Sequence, residues 1–347
     1  MATLELRGIK KRFGDFYAVD GVDLMIAEGE FLAILGPSGC GKTTLMRMIA
    51  GLEPPSAGEV LIGGVPVTHL PPRARNVSMV FQSYALYPHM SVAENIAFPL
   101  KARGVPKAER DTKVQWVVGL MGIEGLVKRK PGRLSGGEKQ KVALARSLVR
   151  DPSLFIFDEP LSSLDAQVRA MARGELRQLH DRTGVTTVYV THDQLEALGM
   201  GDRVAIMNRG QVRQLGTPQE LYDDPADTFV AAFLGSPPMN LIERDNRIIG
   251  FRPEYLQPRV DGSLAQGALV FKVRIMQLEF LGSEWLIYGV LEDGGGENKL
   301  LAKVDQLVAS KLRSGESRDF VVERSYLRLF DKTTGLRIAP SAAKLTQ

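Results

Sequence analysis

The sequence has 347 residues, 44% of them hydrophobic and 24% charged, the balance of a globular protein with a real core. That excludes a disordered tail protein, a collagen-like fibre and a disulfide scaffold; the length predicts about two domains. Lys+Arg 44 against Asp+Glu 40 leaves a net +4, and the short clusters Lys10-Lys11-Arg12 and Lys128-Arg129-Lys130 form no basic stripe that would mark a nucleic-acid partner.

The N-terminus, Met1-Ala2-Thr3-Leu4-Glu5, has neither a basic n-region nor an apolar h-region, so no signal peptide is expected. Residues 1–30 alternate in short stretches such as Val22-Asp23-Leu24-Met25-Ile26, which predict strands. Residues 30–35 (Glu-Phe-Leu-Ala-Ile-Leu) read as a buried strand, far too short to span a membrane, so any membrane role must come through partners. A helix follows from about Lys42 to Ala50.

Between that strand and helix lies Gly36-Pro37-Ser38-Gly39-Cys40-Gly41-Lys42-Thr43-Thr44, a match to G-x-x-x-x-G-K-[ST] in the context the motif requires. Its glycines let backbone N–H groups turn inward around phosphate oxygens, and the helix N-terminus adds partial positive charge. Lys42 would reach the β- and γ-phosphates of a nucleotide, and the Thr43 hydroxyl would ligate Mg²⁺. Cys40, the only cysteine, reads as a small packing residue; alone it can form no intrachain disulfide, which fits a reducing compartment.

Residues 84–150 are helical in pattern, with helices expected over 107–121 and 136–150, and read as an insertion into an α/β core. Leu134-Ser135-Gly136-Gly137-Glu138 opens the second helix. Ser135-x-x-Glu138 is a capping-box pattern, and the N–H groups of Gly136 and Gly137 at a helix head suit an anion. Next comes a buried strand, Leu154-Phe155-Ile156-Phe157, which delivers Asp158 to hold Mg²⁺ and Glu159 to polarise an attacking water. A helical pattern over 162–182 leads to a third strand, Thr187–Val190, followed by His192. Buried strands alternating with helices predict a parallel α/β core. His69, His89 and His180 have no metal-ligand spacing and read as structural. Beyond Ser236-Pro237-Pro238 the pattern turns to period two, with Phe271, Val273 and Ile275 alternating with Lys272 and Arg274. Residues 318–330 are strand-rich as well, and a small β-barrel is expected. The domain reading is therefore 1–235, with the helical insertion at about 84–150, and 236–347.

Leu134-Ser135-Gly136-Gly137-Glu138 resembles the signature of ATP-binding cassette (ABC) ATPases, and the other elements of that family follow in order. Gln82 resembles its glutamine loop, Ser162-Ser163-Leu164-Asp165 its D-loop, and Thr191-His192-Asp193 its switch histidine. Tyr84-Ala85-Leu86-Tyr87-Pro88-His89, the stretch Ala231 to Asn240, and Phe251-Arg252-Pro253-Glu254 are similar to the maltose/sn-glycerol-phosphate-type importer ATPases of bacteria.

The resemblance implies an α/β P-loop NTPase fold, an ABC-type nucleotide-binding domain with a helical subdomain, followed by a β-rich OB-like C-terminal domain. It implies a homodimeric ATPase on the cytoplasmic face of the membrane that uses ATP and Mg²⁺. Two transmembrane permease subunits would dock near Ser83 to Pro99, and an extracytoplasmic solute-binding protein would act through them, for uptake of a sugar or polyol. By the same resemblance the catalytic residues are Glu159, His192 and Lys42. ATP would be bound by Phe13, Ser38, Gly39, Cys40, Gly41, Lys42, Thr43, Thr44, Gln82, Ser135, Gly136, Gly137, Glu138 and Asp165, and the metal by Thr43, Gln82 and Asp158. Phe13 fits the aromatic position that stacks on adenine, with Tyr17 as the alternative.

If the helical insertion holds Ser135–Gly137 away from the phosphate loop of its own chain, two chains facing head to tail would each cover the other's ATP. Glu138 stands where the family usually has glutamine. Its carboxylate must be turned away by the capping box or paired with a cation such as Lys139. Only Leu241–Gly250 separates the Met239-Asn240 and Phe251-Arg252 elements, a shorter stretch than relatives carry, so a trimmed barrel is expected. Rival readings are a soluble cassette ATPase acting on ribosomes or DNA, a binding-only cassette, and an importer ATPase for iron, an oxyanion or a polyamine.

Overall fold

Period-two patterning builds the first sheet. In the computed structural model, which describes residues 2–80, 84–162, 164–244, 246–259, 268–292 and 298–338, β1 (Leu4–Phe13) pairs antiparallel with β2 (Phe16–Ile26). On its other side β1 pairs with β4 (Ala57–Ile62), which continues into β5 (Val65–Pro66). The register sets Leu4 opposite both Ile26 and Ile62, so the apolar residues of three strands share one buried face.

The second sheet is the core of the N-terminal unit. β3 (Phe31–Leu35) is buried at all five residues, as a strand covered on both faces should be. The strand order is β10-β9-β3-β8-β7-β6, with β6 (Val77–Val80), β7 (Leu154–Asp158), β8 (Thr186–Thr191), β9 (Arg203–Asn208) and β10 (Gln211–Gly216). All neighbours are parallel except β9 and β10. Helix α1 (Lys42–Ala50) packs against it, with Leu45, Met46, Met48 and Ile49 buried.

Helices α2 (Val92–Ala102), α3 (Lys107–Met121) and α4 (Gly136–Leu148) form the helical insertion. They share a core with Phe155, Phe157 and Tyr189 and with Leu176 of α5 (Ala166–Thr183). α4 and α5 agree with the sequence-based helices to within a few residues. α6 (Gln194–Met200) follows β8 directly.

Arg75 closes the C-terminal end of α1. It is buried, and its guanidinium donates to the carbonyls of Met48 (2.7 Å), Ile49 (2.9 Å), Thr68 (2.8 Å) and Leu70 (2.9 Å). Gly51 caps the helix at φ 76°, and a Cβ there would meet the Arg75 guanidinium. Burial lowers the pKa of Arg75 from its ordinary value, and no carboxylate offsets it.

The chain divides into two compact units, Met1–Pro218 and Gln219–Gln347. Most of α7 (Pro218–Asp223) and all of α8 (Thr228–Phe233) therefore go with the β-rich unit, and the boundary expected at Ser236 falls inside it. The physical reason is Arg252, buried and donating to the carbonyls of Tyr222, Ala231 and Leu234 with its guanidinium 4.0 Å from the Tyr222 ring centroid.

That unit holds two antiparallel sheets over one core of Phe251, Phe271, Ile275, Ile287 and Phe320. One is β11-β12-β18-β19, from β11 (Asn240–Arg244), β12 (Arg247–Phe251), β18 (Arg328–Asp331) and β19 (Arg337–Ile338). The other is β13-β17-β14-β15-β16, from β13 (Gln257–Pro258), β14 (Leu269–Phe280), β15 (Trp285–Leu291), β16 (Lys299–Val304) and β17 (Ser317–Val322). Among the described residues neither sheet closes on itself.

Replacing Arg75 by methionine leaves four inward-facing carbonyls without their donor. We expect Arg75→Met to destabilise the protein by about 2–4 kcal/mol in denaturant unfolding; a loss below about 0.5 kcal/mol would show the closure to be dispensable.

Candidate functional site: a phosphate loop facing two carboxylates and a histidine

Three parallel strands deliver the site. β3, β8 and β7 are neighbours, with Leu35 opposite Thr191 and Asp158 opposite Val190. Their C-terminal ends therefore release residues 36–44, His192 and Glu159 onto one edge of the sheet, where ligands of open α/β sheets bind.

The loop from Gly36 to Gly41 folds tightly against β2. Gly41 has φ 110°, and a Cβ there would collide with the Ala18 carbonyl, so only glycine fits. Gly41 is also the N-cap of α1 and offers no side-chain acceptor. The first N–H groups of α1 are thus left to an anion, with the helix dipole behind them. Lys42 is buried, and its ammonium donates to the carbonyls of Gly36 (2.7 Å) and Pro37 (3.0 Å), across the mouth of the loop. Ser38, Gly39 and Thr43 are exposed and Thr44 half-buried. Cys40 is buried, its thiol pushed up in pKa by that burial against the pull of Lys42, in keeping with a packing role.

Asp158 ends β7. Burial first, then the adjacent Glu159 carboxylate, raises its pKa, and Arg47 and Lys42 offset this only in part. A carboxylate so placed is under-compensated and suits a cation. Asp158 and the Thr43 hydroxyl are hard oxygen donors of the kind that could hold Mg²⁺ alongside waters and phosphate oxygens. Among the described residues no cluster of three or more His, Cys, Asp or Glu could hold a metal unaided.

Glu159 has left-handed backbone, φ 46°, an outlier for a residue of its size. Its N–H donates to the Val190 carbonyl (2.9 Å), and its own carbonyl accepts from the Ser162 hydroxyl (2.9 Å). This conformation turns the carboxylate toward β8, where Oε2 lies 3.0 Å from His192 Nδ1.

Gln82 and Ser163 lie outside the described residues. Phe13, at the end of β1, is half exposed with the Lys11 ammonium 5.0 Å from its ring centroid, and Tyr17 is similarly open. Asp165 caps α5, accepting from the Val168 N–H (3.0 Å).

Ser135 and Glu138 form the reciprocal cap: the serine oxygen accepts from the Glu138 N–H (3.3 Å), and the glutamate accepts from the Ser135 N–H (2.7 Å). That bond, with Arg129 beyond it, lowers the Glu138 pKa. The pairing cation is Arg129, at 3.7 Å, not the Lys139 suggested by adjacency. Neighbours one apart on a helix do not face each other, whereas Arg129 reaches Glu138 from the chain before the helix. Gly136 sits against Leu164 and Gly137 against Val168. No hydrogen bond or ion pair among the described residues joins 135–138 to the phosphate loop of the same chain.

A groove of about 620 Å³ opens between Leu52, Met79, Tyr87, Phe98, Arg103 and Arg146. Of the apolar residues in this stretch, Tyr84 and Leu86 belong to the helical core, while Tyr87 and Phe98, their ring centroids 4.6 Å apart, line the groove. Two residues here escaped the sequence reading. Asn95 is fully buried and donates to the carbonyls of Tyr87, Met90 and Ser91 while accepting from the Tyr87 N–H. Arg146, on α4, donates to the carbonyls of Tyr84 (2.8 Å) and Ala85 (2.6 Å). The helix that begins at Gly136 thus grips the groove wall.

Comparison with known proteins gives a consistent result. Residues 19–162 match the family model for ABC transporters. The chain is 43% identical to the sn-glycerol-3-phosphate import ATP-binding protein UgpC of Rhodopseudomonas palustris, over 95% of this chain and 98% of that protein. It is 44% identical to the trehalose/maltose import ATP-binding protein MalK of Thermococcus litoralis, over 97% of this chain and all of that one. Among solved structures, CbiO1 of Clostridium perfringens, part of an ABC transporter complex, aligns with TM-score 0.59 at 30% identity, covering 63% of this chain and 89% of its own. A dimeric ATP-binding cassette in a post-hydrolysis state, bound to ADP and Pi, aligns with TM-score 0.54 at 31% identity, covering 62% and 98%.

The raised pKa of Asp158 has a consequence for stability. Between its unfolded and folded pKa values the folded chain holds the extra proton, so stability falls as pH rises through that window. Asp158→Asn should therefore raise the thermal midpoint of the nucleotide-free protein at neutral pH while abolishing Mg²⁺-dependent ATP hydrolysis. Calorimetry showing a lower midpoint would contradict the charge assignment.

Proposed function

The chain belongs to the ABC transporter family as an ATP-hydrolysing import subunit, and from that premise we propose that two copies, head to tail, sandwich Mg-ATP and drive uptake of a sugar or polyol. The observation that carries this reading is a pair of helix heads in one chain, the phosphate loop at α1 with open N–H donors and Ser135–Gly137 at α4, with no hydrogen bond or ion pair between them among the described residues. Two chains facing head to tail would bring one helix head of each kind to a single triphosphate.

In this scheme the N–H groups at the head of α1 and Lys42 bind the β- and γ-phosphates, and Ser135–Gly137 of the second copy closes on the γ-phosphate from the far side. Asp158 and Thr43 are the residues that would hold Mg²⁺, with Gln82 a further ligand by resemblance; the ion supplies charge neutralisation on the phosphates. Glu159 polarises the attacking water, and its 3.0 Å contact with His192 keeps the carboxylate aimed where that water must stand. Phe13 stacks on adenine, and Asp165 contributes from the D-loop.

No described helix is long and apolar enough to cross a membrane; in this reading permease subunits carry the solute. We place their docking at the groove beside Tyr87 and Phe98, and the membrane's cytoplasmic face as the site of action. Arg146 supports this, because it ties the groove wall to the helix whose head grips the partner's ATP. The sugar or polyol assignment draws on the import proteins to which the chain is 43–44% identical.

Glu159→Gln should bind ATP normally, lose turnover by at least about 100-fold, and accumulate as a nucleotide-bound dimer on size-exclusion chromatography. Wild-type hydrolysis by that variant would remove Glu159 from the role of base. Phe98→Asp should leave the ATPase of the isolated subunit within about twofold of wild type but block co-purification with the permease subunits; retained co-purification would move the docking site elsewhere.

A further inference from the structure

Glu196 is 2% exposed, yet among the described residues it makes no ion pair. A carboxylate buried without a cation is costly and is kept only where its hydrogen bonds matter. One oxygen, Oε2, accepts two of them: from the Tyr189 hydroxyl (2.8 Å) and from the Thr191 hydroxyl (2.7 Å). Tyr189 is fully buried, and burial with the Glu196 charge raises its pKa well above the ordinary value, so it stays a donor.

The network runs on toward the site. Thr191 Oγ1 accepts from the Asp193 N–H (2.9 Å). Asp193 in turn caps α6 through the N–H groups of Leu195 (2.8 Å) and Glu196 (3.3 Å) and meets Arg169 at 3.3 Å. Arg169 also donates to the Leu164 carbonyl (2.9 Å). His192 is therefore held between two pinned residues, Thr191 and Asp193. Val190, between Tyr189 and Thr191, supplies the carbonyl that anchors the left-handed Glu159. The end of β8 thus carries both halves of the 3.0 Å Glu159–His192 contact, and Glu196 lies beneath it.

We propose that Glu196 is a positioning residue: through Thr191 and Tyr189 it fixes the end of β8 so that His192 and Glu159 stay aligned for hydrolysis. The proposal rests on the reading of Glu159 and His192 as the hydrolytic pair. Packing alone would not require an oxygen at this point. Positioning requires an acceptor there, charged or not.

The test uses the full-length protein and four variants: Glu196→Ala, Glu196→Gln, Thr191→Val and His192→Ala, with the Glu196→Ala/His192→Ala double variant. Glu196→Ala should lower kcat for ATP about 10- to 100-fold with KM within about threefold. Glu196→Gln, which keeps an oxygen to accept both hydroxyls, should retain kcat within about threefold. The double variant should be no slower than His192→Ala, because both act at one point. The chain has four histidines, so ring NMR can follow them individually; Glu196→Ala should move the His192 signals and leave those of His69 and His89 in place. If Glu196→Ala does not fold, Thr191→Val carries the same expectations. Unchanged kcat and His192 signals, full additivity with His192→Ala, or a Glu196→Gln variant as slow as alanine would each overturn the proposal. A His192→Ala or Glu159→Gln protein hydrolysing ATP at the wild-type rate would instead overturn the reading of the site beneath it.

Discussion

The site depends on three parallel strand ends lying side by side. β3 must end level with Thr191 of β8, and β8 must lie against β7 at Asp158. Parallel pairing points every strand the same way, so an N-terminal phosphate loop, a mid-chain pair of carboxylates and a histidine far along the chain arrive on one edge. An antiparallel β8 would carry His192 to the opposite side. Everything chemical in this protein follows from that alignment.

The alignment concentrates charge, and the surrounding structure restrains it with backbone more than with counter-ions. Lys42 is held by two carbonyls, Glu159 by a left-handed turn tied to Val190, and Glu138 by the N–H of Ser135. Backbone groups in fixed positions need no reorganisation when a triphosphate arrives, which is what an electrostatic site requires. Asp158 is the exception. Burial and the neighbouring Glu159 raise its pKa, and Arg47 and Lys42 offset this only in part.

Force and chemistry also share parts. Arg146 joins the groove wall to α4, and Arg169 joins Leu164, beside Asp165, to Asp193, beside His192. Both are long side chains whose guanidinium forks bridge segments distant in sequence. Each ties together segments of the chain that the sequence keeps far apart.

Placements set by nearby sequence were legible from the sequence. The phosphate loop needs its glycines and lysine at fixed spacing, the Ser135–Glu138 cap closes within four residues, and Asp158 and Glu159 follow an unmistakably buried strand. Residues whose partners come from elsewhere were not legible. Asn95 clamps three carbonyls of a loop, Arg75 closes α1 from 25 residues away, and Arg129 rather than Lys139 meets Glu138. No sequence motif singles out Glu196, and only the burial of Tyr189 and Thr191 around it shows what it accepts. Patterning and motif spacing therefore pointed to an α/β core and to phosphate binding, and the resemblance of the ordered motifs pointed to the family. Which side chains hold that chemistry in place was decided by tertiary structure, because a hydrogen bond is a matter of distance in space, and distance along a chain does not report it.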